Sequence, residues 1–149
     1  MSMKIVRAER RHLYQVSPLF DHYRQFYKQP PDPGASRAYI EERLNNGDAV
    51  IFLAEDGGKA LGFVQLYPSL ASISMRPIWI LYDLFVEPNA RASGVGRALM
   101  DRARQHAEET KAHQLILETA TDNLTAQRLY EKLGYKRDNE FYRYALALS

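Results

Sequence analysis

The hexapeptide Arg91-Ala92-Ser93-Gly94-Val95-Gly96 follows directly on an apolar run at residues 79–86. The order is a strand, a turn, then a glycine pair opening a helix. Glycine lets a backbone approach a ligand closely. The first N–H groups of a helix have no internal partner and point outward as anion donors. The segment therefore reads as a cradle for a phosphate or pyrophosphate. It lacks the Lys-Ser/Thr ending of a P-loop and the Gly-x-Gly-x-x-Gly spacing of a dinucleotide fold. A tight strand-to-helix turn with no ligand is the plain alternative. Asp83 is the second chemical candidate, because a carboxylate inside an otherwise apolar strand needs a reason. Tyr130 shares a helical stripe with Ala126, Leu129 and Leu133, and packing alone would explain it. His12, His22, His106 and His113 show no ligand spacing with carboxylates. They read as surface or partly buried helix residues, and no metal is expected.

The elements that must position these groups follow from hydrophobic period and turn chemistry. Residues 4–8 read as a strand. Residues 10–28 have helical period, and Pro18 either kinks one helix or starts a second. Residues 30–34 read as a loop and 36–46 as a short helix stopped by Gly47. Strands at 49–55 and 60–67 flank a hairpin turn at Asp56-Gly57-Gly58. Residues 68–76 read as a polar connector. Residues 78–86 form the central strand, apolar enough for both faces to be covered. A helix at 94–111, a strand at 114–119 and a helix at 123–133 follow, the last ended by Gly134. Residues 135–137 and 141–148 read as a closing antiparallel pair. Glu118 reads as a buried hydrogen-bonding group. The expectation is an α/β fold, a mixed central sheet of about seven strands flanked by about four helices, in one domain spanning 1–149.

Composition narrows the class. A chain of 149 residues is long enough for one domain with a real core. The 20 basic and 18 acidic residues nearly cancel, which disfavours a dedicated nucleic-acid binder. With 0 cysteines, disulfides, thiolate metal sites and cysteine nucleophiles are excluded. No stretch reaches transmembrane length, and no apolar leader precedes the first strand, so a cytoplasmic protein away from the membrane is expected.

A second signature lies further on: Asn123-Leu124-Thr125-Ala126-Gln127-Arg128-Leu129-Tyr130-Glu131-Lys132-Leu133-Gly134-Tyr135. With Arg-x-x-Gly-x-Gly after a strand, it resembles the GNAT N-acetyltransferases. The resemblance is tight over residues 78–135. It implies acetyl-CoA as cosubstrate and direct attack by an amine in a ternary complex. Leu84, Phe85 and Val86 would splay from the next strand and hold pantetheine, with Val86 pairing its amides and Leu84 N–H polarising the thioester carbonyl. Arg91, Ser93, Gly94, Val95, Gly96, Arg97 and Ala98 would take the pyrophosphate. Asn123 would touch the pantetheine arm, or serve only as a helix N-cap.

The resemblance makes Tyr130 the general acid for the leaving thiolate, since a phenol of pKa ~10 keeps its proton at neutral pH. Asp83 would attract or deprotonate the acceptor cation; its alternative is a structural carboxylate. The segment Tyr82-Asp83-Leu84-Phe85-Val86 is similar to the corresponding strand of spermidine/spermine acetyltransferases, which carry an acidic pair where this chain has Tyr82-Asp83. Tyr23, Phe26, Tyr27, Tyr39, Tyr82, Phe141 and Tyr142 would wall the acceptor site, an aromatic setting suited to a cation. Ala92 stands where the family has glycine, so that corner is expected to differ in shape. The implied acceptor is a small-molecule primary amine. A protein lysine or N-terminal amine is the alternative, and a non-catalytic CoA-binding module the second. A homodimer is expected.

Overall fold

The computed structural model describes residues 3–149. It divides into two compact units, the first ending at Glu118 and the second being Thr119–Ser149.

The first unit is a sheet covered on both faces. Its strands are β1 (Met3–Arg7), β2 (Val50–Asp56), β3 (Lys59–Ala71), β4 (Arg76–Val86) and β5 (Leu115–Leu117), in spatial order β1-β2-β3-β4-β5. All pairings are antiparallel except β4 with β5, which is parallel. Helices α1 (Leu13–Phe26) and α2 (Pro33–Asn46) cover one face; α3 (Val95–Glu109) covers the other. The α1–α2 face closes on a core of Val16, Leu19, Ile40, Ile51, Leu53, Phe63 and Phe85. On the opposite face α3 buries Val95, Leu99, Met100, Ala103 and Ala107, which recur at helical spacing.

Several local expectations hold for physical reasons. Gly57 and Gly58 both take positive φ (58° and 84°), the requirement of the two-residue turn between β2 and β3. Pro18 lies within α1, which stays one helix. The Asp32 carboxylate caps α2 through Ala35 N–H at 3.1 Å, with Pro33 in the first turn. Residues 30–34 are thus partly helix start rather than loop alone.

Other expectations are corrected. The connector expected at 68–76 is mostly strand: β3 runs to Ala71 and β4 begins at Arg76, so a long hairpin replaces it. The central position belongs to β3, with β4 beside it. His12 and His106 are buried, more deeply than the surface or partly buried positions expected for the histidines. His106 sits between Phe52 and Trp79 with Nε2 unpaired, and burial, then Arg7 and Arg102, hold its pKa below the ordinary value. Glu118 is exposed, immediately beyond the short β5.

The sheet has five strands among the described residues, not seven. In the second unit α4 (Leu124–Lys132) forms as expected, but 135–137 and 141–148 are not strands. Phe141, Tyr142, Tyr144, Leu146 and Leu148 are all exposed, so neither parity of that run faces a core. A strand needs a ladder partner and a covered face; β-propensity at these positions brought neither. Among the described residues no helix is long and apolar enough to cross a membrane.

Candidate functional site

The chemistry of the first unit gathers where β4 changes phase. Leu81 pairs with Leu66, but Asp83 pairs with Gln65, so Tyr82 is an extra residue on β4. This bulge turns both Tyr82 and Asp83 toward the α1 side, where strict alternation would separate them. The Tyr82 ring meets Tyr67 at 5.5 Å.

Beyond the bulge, β4 runs on without its parallel neighbour, since pairing with β5 ends at Leu81–Leu117. The ladder to β3 fixes where each backbone group points. Glu87 N–H donates to Leu61 O at 2.9 Å, so Phe85 and Asp83, two and four residues back, also face β3. The N–H groups of Leu84 and Val86 therefore face the open side. Such an edge can hydrogen-bond an extended, amide-bearing chain as an added strand. Phe85 belongs to the core, with its backbone turned to β3. Glycine at 62 permits the close approach of β4, because a Cβ there would lie 2.6 Å from the Phe85 carbonyl oxygen.

The open edge leads into the glycine turn. Gly94 caps α3 at φ 87°, and a Cβ on it would project into empty space. The first intrahelical bond is Ala98 N–H to Gly94 O at 3.0 Å. The N–H groups of Val95, Gly96 and Arg97 remain for an anion, and Ala98 drops out of the expected donor set because its N–H is used within the helix. Ala92 takes φ 64°, so the corner has the glycine-like shape and the expected change of shape is not found. The Ser93 hydroxyl donates to the Ala90 carbonyl. Arg91 folds back, donating from Nε to Val86 O at 2.9 Å, with its guanidinium over Phe26 and Phe85. It pins the strand end to the loop. Arg97 pairs loosely with Asp101 at 3.8 Å on the exposed helix face.

Asp83 is 4% exposed and Gln65 is fully buried. Gln65 Nε2 donates to Asp83 Oδ2 at 2.7 Å. Burial pushes the Asp83 carboxyl above the ordinary carboxylate value, and hydrogen bonds from Gln65 and Tyr23 only partly oppose this. The Tyr23 hydroxyl also donates to Tyr82 O at 3.3 Å. Tyr27 packs on Tyr23 at 5.1 Å, while Tyr39 and Tyr67 share a hydroxyl–hydroxyl bond of 2.6 Å. Burial, and then the Asp83 charge, raises the pKa of Tyr23 and Tyr27. Tyr23 thus bonds Asp83, Tyr27 and Tyr67 lie within reach of its charge, and Tyr39 is joined to this group only through Tyr67. Among the described residues no arginine pairs with Asp83.

In the second unit, Asn123 Oδ1 accepts from Ala126 N–H at 3.3 Å, a helix N-cap. Tyr130 lies half-buried on the last turn of α4, its ring tilted against Tyr135 at 6.1 Å. Tyr142 is 91% exposed. Gln65 and Tyr67 were missed in sequence. The signal existed for Gln65, a polar residue in the run Gly62-Phe63-Val64-Gln65-Leu66, as odd there as Asp83 is in β4.

Comparison with known proteins defines the class. Residues 16–135 match the model of the acetyltransferase (GNAT) family. The uncharacterized N-acetyltransferase YhfO of Bacillus subtilis (strain 168) is 42% identical over 144 residues, 97% of each chain. A crystal structure of a probable acetyltransferase superimposes with TM-score 0.93 at 41% identity, covering 98% of both chains. The aminoglycoside N-acetyltransferase AAC(6')-Iy, solved in complex with CoA, shares the fold at TM-score 0.81 and 21% identity, over 97% of this chain and 94% of its own. The chain belongs to the GNAT family and is a GNAT N-acetyltransferase.

Proposed function

We propose that the protein transfers an acetyl group from acetyl-CoA to a primary amine of a small cationic molecule, by direct attack in a ternary complex. The observation that carries the acceptor class is the buried Asp83 carboxylate, ringed by tyrosines where the bulged β4 parts from β5. A carboxylate with aromatic faces around it attracts an ammonium group.

The same strand fits the cosubstrate. The Leu84 and Val86 N–H groups would pair with the pantetheine amides, and the N–H groups of Val95 to Arg97 would take the pyrophosphate. Acetyl-CoA supplies an activated thioester, so the protein needs no nucleophile of its own. Leu84 N–H would polarise the thioester carbonyl, a donor aimed in advance rather than reorganised during reaction. Asp83, with its raised pKa, accepts a proton from the ammonium more readily than an ordinary carboxylate. Tyr130 would protonate the departing thiolate.

The test is CoA release from acetyl-CoA with free primary amines against lysine-bearing and N-terminal peptides. Turnover with cationic small amines above the peptide rate is the expected result. Turnover confined to peptides would replace the acceptor class, and CoA binding with no turnover on either panel would mark a binding module.

A further inference from the structure

Gln65 is the most deeply buried polar side chain in the sheet, and the reaction described above does not use it. It is fully buried on β3, directly across from Asp83 in the ladder. One end of its amide is engaged and the other is not: Nε2 reaches Asp83 Oδ2 at 2.7 Å, while Oε1 has no partner. A buried amide left half-satisfied carries the full desolvation penalty of its orphan atom. Leucine or methionine would fill the same space without that cost, so packing does not explain glutamine here. The bulge does. In an unbulged ladder Tyr82 would pair with Gln65, and Asp83 would turn to the other face, away from it.

We propose that Gln65 is a positioning residue for acetyl transfer: its single hydrogen bond fixes the Asp83 carboxylate and keeps it ionised when the acceptor amine arrives. The physical ground is the sign of that bond. A donor to a carboxylate favours the charged form, whereas burial favours the neutral one. Gln65 is the amide donor on Asp83, and Tyr23, the other group facing it, is a weak acid whose hydroxyl is shared with the Tyr82 carbonyl. Tyr27 and Tyr67 also feel the charge, and among the described residues no cation lies on it to do the same work. Losing the Gln65 bond leaves desolvation less opposed, so the carboxyl holds its proton to higher pH. This inference rests on Asp83 as the group that receives the amine.

The test uses the full-length Gln65→Met protein, which preserves volume and removes the amide. Carbon-13 NMR of the aspartate carboxyl carbons, with Asp83 assigned by its loss in Asp83→Asn, gives the titration midpoint without any substrate. The midpoint is expected to rise by about one pH unit or more. The acid limb of kcat/KM for the amine should move up by the same amount, with KM for acetyl-CoA unchanged. Gln65→Asn, whose amide is one methylene too short to make the bond, replaces Gln65→Met if that chain does not fold. An unmoved midpoint overturns the proposal whatever the activity. A moved midpoint with an unmoved acid limb overturns the catalytic role. A moved midpoint in a protein that acetylates no amine supports the Gln65–Asp83 coupling and defeats the proposed acceptor class instead.

Discussion

Asp83 sets a conflict between stability and chemistry that one substitution can expose. Burial raises its folded pKa above the unfolded value of about 3.9. The native state therefore keeps this proton to higher pH than the unfolded chain does. Stability falls as pH rises from the unfolded pKa through the folded one, and the penalty stays above it. Asp83→Asn removes the titration. It is expected to melt at or above the wild-type temperature near neutral pH, to lose that advantage below about pH 4, and to raise KM for a cationic acceptor more than for acetyl-CoA. Steady-state kinetics and melting curves across pH check both halves. Equal effects on the two KM values would return Asp83 to a structural role.

Two further residues carry separate tests. Tyr130→Phe should lower kcat by about 100-fold, the scale of one general acid, while acetyl-CoA affinity stays within about twofold of wild type because the acid acts after binding. Unchanged turnover would make Tyr130 a packing residue. Ala92 holds a left-handed φ that costs about 1–2 kcal/mol in a residue with a Cβ. Glycine relieves it but adds unfolded-state entropy of about 0.4–1 kcal/mol. Ala92→Gly is thus expected to gain roughly 0.5 kcal/mol of stability by denaturant unfolding, the difference of those two effects.

Among the elements, α1 and α2 share an apolar core and are also linked by a buried carboxylate. Asp21 accepts from Ser36 Oγ at 2.7 Å, Asp32 N–H at 2.9 Å and Gln25 Nε2 at 2.9 Å, with Arg24 at 3.6 Å. Burial alone would raise its pKa; these donors outweigh it and hold the carboxyl below the usual range. Its stabilisation is present above the unfolded pKa and is lost as pH falls through the folded one. Asp21→Asn should cost about 3 kcal/mol at neutral pH, as breaking a buried charged network does, and should flatten acid unfolding at the low end. Because α1 carries Tyr23 and is capped at its C-terminus by Tyr27, the same variant should loosen acceptor binding more than acetyl-CoA binding. A destabilisation below about 0.5 kcal/mol, the range of ordinary surface changes, would contradict the assignment.

These elements also show what sequence could and could not reveal. Glycine turns, Pro33 after Asp32 and the period of α3 are local signals, each tied to one backbone requirement. The glycine turn at Gly94 was legible for the same reason. The bulge at Tyr82 was not, because it depends on which β3 residue lies opposite, and pairing is non-local. Asp83 could be picked out as odd, but its partner Gln65 could not be named until register brought them together. Residues 141–148 failed in the opposite sense: strand-forming side chains were present, and the ladder was not.

At the scale of the molecule, the two signatures sit in different units, the glycine turn in the first and Asn123 to Tyr135 in the second. The account stands or falls on whether the open edge of β4 and the N-terminus of α3 hold acetyl-CoA. Thermal unfolding with and without acetyl-CoA, in wild type and in Gly94→Val, tests this most directly. A ligand at about 100 times its Kd adds about 2.7 kcal/mol, which raises the midpoint of a domain this size by roughly 5–10 °C. The account predicts that rise for wild type with acetyl-CoA, none with ATP or NAD, and none for a folded Gly94→Val protein, whose side chain fills the cradle. No rise for wild type, or an equal rise for Gly94→Val, would contradict it.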